Sequence, residues 1–116
     1  MNQVYEMRMY YAAPGKMDAL LARFADHTIA IFDRYNLKTI GYWVPHENPK
    51  NLLIYILEHE SLEAANKNWE NFRKDEEWLK VKAETDAKVP LVAAIDRYFM
   101  DKIDFSKFKT GVSSKT

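Results

Sequence analysis

Hydrophobic and polar positions alternate one by one from Val4 to Tyr11, with Tyr5, Met7, Met9 and Tyr11 on one side and Val4, Glu6, Arg8 and Tyr10 on the other. A period of two is that of a half-buried β-strand. Ala13-Pro14-Gly15-Lys16 ends it, and from Met17 the spacing changes. Apolar residues at 17, 20, 21, 24, 31, 32 and 35 follow the i, i+3, i+4, i+7 rule of an amphipathic helix that closes near Tyr35-Asn36. Leu37 to Val44 and Asn51 to Glu58 are rich in β-branched and aromatic residues, and the Pro-containing stretch from 45 to 50 between them makes a hairpin with a longer loop. Ser61 suits an N-cap, with Glu63 in the first turn and Leu62, Ala65, Trp69 and Phe72 on one stripe behind it. A further helical piece, Glu76 to Lys88, carries Trp78, Leu79 and Val81 and stops before Pro90; Val92 to Lys102 reads as the last strand.

The order β α β β α β predicts an α+β fold, the ferredoxin-like βαββαβ arrangement, an antiparallel sheet with its helices on one face. The Met7/Met9 side of the first strand is the one expected to meet the helices, which turns Arg8 toward the opposite face. That second face is left open in a chain holding seven Tyr, six Phe and three Trp. An apolar patch of that size exceeds what a soluble monomer exposes. The expectation is therefore a homodimer in which two sheets pack into a dimeric α+β barrel, with a cavity between them.

Length and charge narrow the picture further. A chain of 116 residues buries one core and not two. Residues 1–103 are expected to form the domain, and residues 104–116 a C-terminal extension with a mobile polar end from Thr110. Seventeen basic and seventeen acidic side chains balance, which excludes the clustered excess of Lys and Arg that a nucleic-acid binder needs. The absence of cysteine removes disulfides, thiolate nucleophiles and CxxC sites. The longest apolar run, Leu52 to Leu57, is far below the roughly 20 residues that span a bilayer, so no membrane segment is expected. The start, Met1-Asn2-Gln3-Val4-Tyr5-Glu6, has no basic lead and no long apolar run, which makes cytoplasmic the default location.

Five short elements in register carry a resemblance. Tyr5-Glu6-Met7-Arg8-Met9-Tyr10, Pro14-Gly15-Lys16, His27, Gly41-Tyr42-Trp43 and Glu60-Ser61-Leu62 together resemble the NIPSNAP family, whose members look like a YELRxY strand, a PGK turn, a helix with a histidine, a GYW strand and an ESL helix start. A D-P-x-W element of the family is matched by Asp75-Glu76-Glu77-Trp78. The sequence departs from the pattern at Leu57 and His59, where many members carry Trp and Tyr, and at Ala65, where they carry Arg. The resemblance implies the dimeric α+β barrel, a group that also holds cofactor-free monooxygenases and haem-degrading enzymes. It implies no particular reaction.

Arg8 is the sharpest chemical candidate, since a guanidinium turned into a cavity offers five donors in a fixed fork to a carboxylate or enolate. Its plainer role is an ion pair with Glu6, one pleat repeat away, or with an acid of a neighbouring strand such as Asp96. His27 falls within the apolar stripe of the first helix and is expected to be substantially buried, either as a proton-transfer group or as a core histidine bonded to a backbone carbonyl. His59, at the end of the third strand, is the other histidine that could move a proton, while His46 sits in the hairpin loop and faces solvent. Tyr10, Tyr42, Tyr55 and Tyr98 lie on strands and, with Arg8 and His27, make the candidate set for holding a small planar ligand; equally, tyrosines fill dimer interfaces well. Trp69, Phe72 and Trp78 read as core. The three histidines lack the spacing of a metal site, and with three glycines there is no phosphate loop, so neither metal nor cofactor is expected. Two functions follow: a homodimeric domain that binds a small aromatic or acyl molecule beside the sheet, or a cofactor-independent monooxygenase or isomerase of an enolisable substrate, with Arg8 holding the oxyanion and His27 or His59 moving the proton.

Overall fold

The computed structural model describes residues 3–108. Its elements are β1 (Val4–Ala12), α1 (Met17–Arg23), a π-helical turn (Phe24–Thr28), α2 (Ile29–Arg34), β2 (Lys38–Trp43), β3 (Leu52–His59), α3 (Leu62–Arg73), α4 (Glu76–Thr85), β4 (Val92–Asp101) and a short 3-10 turn (Phe105–Phe108). The four strands form one antiparallel sheet in the order β2-β3-β1-β4. This is the ferredoxin-like topology that the element order predicts. No helix among the described residues is long and apolar enough to cross a membrane.

Local chemistry sets the element ends. Gly15 (φ 73°) supplies the left-handed turn after β1. Asn36 (φ 56°) does the same after α2, where the Leu37 amide reaches back to the Phe32 carbonyl at 3.1 Å, a Schellman closure. Ser61 Oγ accepts the Ala64 amide at 3.0 Å and caps α3. Asp75 Oδ1 accepts the Trp78 amide at 2.8 Å and caps α4, while its Oδ2 accepts the Tyr35 hydroxyl at 2.6 Å. The Asp75-to-Trp78 element is thus a helix start tied to the preceding helix pair.

The first helix differs from its expected form in one respect. Between Arg23 and Ile29 the backbone widens by a π-helical turn, and Thr28 Oγ1 donates to the Arg23 carbonyl at 3.3 Å. A π-turn inserts one residue into the helix repeat and changes which side chains share a face. Here Arg23, Phe24 and Thr28 all turn inward and are buried, while His27 is only half-buried, less than its place on the stripe suggested.

The two faces of β1 are occupied in the reverse of the expected sense. Glu6, Arg8, Tyr10 and Ala12 lie under the helices, together with Leu53, Tyr55, Leu57 and His59 of β3. Met7 and Met9 are on the open face. Alternation says which residues share a face but not which face the helices cover; here Trp69 from α3 sits over Arg8 and hydrogen-bonds Glu6, which fixes the polar side inward. Leu62 and Leu79, expected on apolar stripes, are about half exposed. Tyr98, paired with Met7, belongs to the open face as well.

The core between sheet and helices is unusually aromatic: Phe24, Phe32, Tyr55, Trp69 and Phe72 meet mostly edge to face, with centroids 5.0 to 6.1 Å apart. Such pairs contribute about 0.5–1.5 kcal/mol each beyond their burial. After β4 the chain leaves the body: Ile103, Phe105 and Phe108 are exposed, the last two against each other at 6.3 Å. The polar end from Thr110 lies outside the described residues.

Candidate functional site

The inward side chains of β1 create a closed polar network. Arg8 donates through Nη1 to Glu6 Oε2 at 3.0 Å, through Nε to the Tyr55 hydroxyl at 3.0 Å and through Nη2 to the Tyr10 hydroxyl at 3.2 Å. Its guanidinium carbon stands 4.2 Å from the centre of the Trp69 ring. The ion pair with Glu6 is thus the one observed, and Asp96 is bound instead to Tyr11 on the other face. Glu6 Oε1 takes the Trp69 indole N–H at 2.7 Å and His59 Nε2 at 2.8 Å, and Arg97 Nε lies 3.8 Å from Oε2. Burial would raise the Glu6 carboxyl, but His59, Trp69 and Arg8 outweigh it and hold the group below the usual carboxylate range. Burial likewise opposes the charge on Arg8, and the neighbouring Tyr10, Tyr55 and Glu6 more than offset it. His59 Nδ1 is buried with no partner.

The hydroxyls give this network a direction. Tyr55 is fully buried, accepts from Arg8 and donates to Tyr10 at 2.8 Å. Burial and the adjacent Tyr10 push its own ionisation well above the ordinary tyrosine value, so it remains a donor. Tyr10 oxygen therefore accepts two hydrogen bonds, from Tyr55 and from Arg8, and its own proton has no acceptor among the described residues. A hydroxyl that receives bonds from a cation and from a second hydroxyl is a strengthened donor.

Tyr10 also lines a cavity of about 360 Å³ between sheet and helices. Its walls are mainly apolar, with Phe24 and Phe32 from the first helix, Phe72 and Trp78 from α3 and α4, and Val92 and Ile95 from β4. Arg23, Lys82 and Asp86 stand at its polar end. The π-turn brings Phe24 and Thr28 to this wall, next to Arg23 at the end of α1. Few convergent polar groups in an apolar hollow of this size is the usual build of a small-molecule site.

Of the residues singled out from sequence, Arg8, Tyr10, Tyr55 and His59 come together in the network, and Tyr42 stacks on Tyr55 at 5.2 Å. His27 and Tyr98 do not join them: His27 is in the π-turn, outside the residues lining the cavity, and Tyr98 is on the opposite sheet face. His46 is exposed. His59 borders a separate polar recess with Asn36, Lys38, Lys67 and Asn68. Sequence reading missed Glu6 as the centre of the network and missed Arg23 altogether. Glu6 was accessible from the Glu6/Arg8/Tyr10 alternation; Arg23 stands three residues after Leu20, and that spacing was the only sign of its burial. No three His, Cys, Asp or Glu side chains among the described residues are grouped as a metal site requires.

Comparison with known proteins places this arrangement. The NIPSNAP family model matches residues 5–107. No curated protein matches significantly. Among solved structures, a NIPSNAP-family protein of unknown function from Agrobacterium tumefaciens is 22% identical and superposes with a TM-score of 0.78, over 90% of this chain and 91% of that one. An uncharacterised NIPSNAP-like domain protein from Burkholderia xenovorans is 20% identical with a TM-score of 0.79, over 90% and 88%. A second NIPSNAP-family protein from Agrobacterium tumefaciens, 22% identical, has a TM-score of 0.79 over 93% and 92%. These likenesses establish the fold, and with the family model matched across nearly the whole of it, the chain belongs to the NIPSNAP family.

Proposed function

We propose that this protein is a homodimeric binding domain that holds a small aromatic or acyl molecule in the cavity between sheet and helices. The observation that carries the reading is Tyr10: its side chain lines a hollow of about 360 Å³, and its hydroxyl, which accepts from Arg8 and Tyr55, has no acceptor for its own proton among the described residues. A carbonyl or carboxyl oxygen on an otherwise apolar ligand satisfies that donor, and the aromatic walls take the rest. Arg8 acts here as the residue that positions and polarises two tyrosines. Dimerisation accounts for the other sheet face, where Met7, Met9, Ile54, Ile56, Trp43 and Tyr98 form an apolar surface that no helix among the described residues covers. A cytoplasmic location fits this reading, which calls on neither metal nor cofactor.

The enzyme alternative, a cofactor-independent monooxygenase or isomerase, uses the same hydroxyl to hold an enolate oxygen. It also needs a base at the same cavity, and His59 borders a different recess. Binding is therefore the better supported of the two.

Sedimentation equilibrium at micromolar concentration tests the dimer, with a 13.7 kDa monomer as the result that removes it. Titration with the neutral probe 2-naphthamide, followed by ligand-detected NMR, tests the cavity. Binding is expected for the native chain and loss of it for Ala93→Phe, which fills the hollow; equal binding by both proteins defeats the assignment of the site.

A further inference from the structure

Arg23 is an unusual residue to find against an apolar cavity. It is buried to within a few per cent, at the end of α1 on the wall of the hollow. Its Nη1 donates to Thr85 Oγ1 at 3.0 Å and to Asp86 Oδ1 at 2.9 Å, which ties the first helix to α4. Its Nε is buried with no acceptor, and Nη2 has none among the described residues. Leaving donors of a buried guanidinium unsatisfied is costly, and Arg presents them as a planar fork shaped for a carboxylate.

The local charge balance points the same way. Asp86 is occupied on both oxygens: Oδ1 accepts from Arg23 and from the Leu91 amide at 3.0 Å, and Oδ2 accepts from Lys82 at 2.9 Å. Arg23 and Lys82 are thus two cations sharing one carboxylate, and a single positive charge remains at this end of the cavity. A monoanion neutralises it. A phosphate dianion overshoots, and in an apolar hollow beside Asp86 the excess charge is expensive.

We infer that Arg23 is the recognition residue for a small monocarboxylate, whose carboxylate accepts from Nη2 of the guanidinium and whose aromatic or acyl body lies between Phe24 and Trp78. This inference rests on the cavity reading above and specifies the class of ligand it takes. A hollow of about 360 Å³ takes a body of one or two fused rings or a short acyl chain with room to spare.

The test compares 2-naphthoate with its neutral isostere 2-naphthamide on the full chain at neutral pH, by calorimetry or ligand-detected NMR. The native protein is expected to bind the acid at least about tenfold more tightly than the amide. Arg23→Gln is expected to abolish that preference, so that acid and amide bind it equally, and Arg23→Lys, which keeps a charge beside Asp86, to retain part of it. Equal affinities for acid and amide in the native protein overturn the inference and leave the cavity standing as a neutral-ligand site. If neither compound binds, both readings fail. If Arg23→Gln does not fold, as judged by circular dichroism, the acid-against-amide ratio of the native chain and of Arg23→Lys decides the matter without it.

Discussion

The two faces of this four-stranded sheet hold opposite kinds of side chain from those their surroundings suggest. The face covered by helices carries Glu6, Arg8, Tyr10 and His59 among its aromatics, while the face without helices carries Met7, Met9, Ile54 and Ile56. The inward polar groups are tolerated because they answer one another: Glu6 alone accepts from Arg8, His59 and Trp69. The outward apolar groups have no such internal answer. Contact with a second copy is the physical solution proposed for them. The covered face is therefore fixed by mutual hydrogen bonding within one chain, and the open face by what another surface supplies.

Breaking the inner network should have the largest effect. Glu6→Ala leaves a buried guanidinium, an imidazole and an indole N–H without their acceptor, and is expected to lower stability by about 3–5 kcal/mol in urea denaturation. Met9→Ala, next to Arg8 in the chain but on the half-exposed open face, should cost less than about 1.5 kcal/mol in the isolated subunit. Similar losses for the two would abolish the distinction between the faces.

A charge placed on the open face acts on the other half of the comparison. Ile56→Lys is expected to weaken self-association by roughly 100-fold, because it buries an unpaired ammonium in the subunit contact. Stability of the separated subunit should barely change. Sedimentation at several concentrations reads this directly, and an unaltered dimer would move the contact elsewhere.

Acid distinguishes the faces more gently. Glu6, Asp75 and Asp86 all lie below the ordinary carboxyl range in the folded chain, despite the burial that raises Glu6 and Asp86: His59, Trp69 and Arg8 lower the first, the Tyr35 hydroxyl chiefly the second, and the Leu91 amide, Lys82 and Arg23 the third. A depressed folded value means the unfolded chain binds more protons. The stabilisation is thus fully present above the unfolded carboxyl values near 4 and is lost as pH falls through the lower folded ones. Urea midpoints measured from neutral pH down to about pH 3 should fall steeply, and Glu6→Gln should flatten part of that slope.

The smallest effect is expected at Gly41, where a Cβ would stand 2.9 Å from the tip of the Trp43 ring on the open face. Trp43 is half exposed and can tilt aside. Gly41→Ala should therefore change stability by less than about 1 kcal/mol in the separated subunit while weakening dimerisation measurably. A large loss in the separated subunit would show that Trp43 is structural rather than part of the contact.

The element order, most element ends and the fold were legible in the sequence, because alternation, helical stripes, the Ser61 and Asp75 caps and the turns at Gly15 and Asn36 are encoded within a few residues of where they act. The membership of Arg8, Tyr10 and Tyr55 in one site was also legible, since residues two apart on a strand share a face and its neighbours repeat the pattern. Which face the helices cover was not. That depends on Trp69 reaching Glu6 from α3, 63 residues along the chain, and no local period records such a contact. Arg23 was hidden for a related reason: it lies three residues after the buried Leu20, but a charged residue there reads as solvent-facing until Thr85 and Asp86, more than 60 residues along the chain, supply its partners. Local sequence determined the strands, the helices and their order; tertiary packing decided the inward side of the sheet and the place of the charge at the cavity wall.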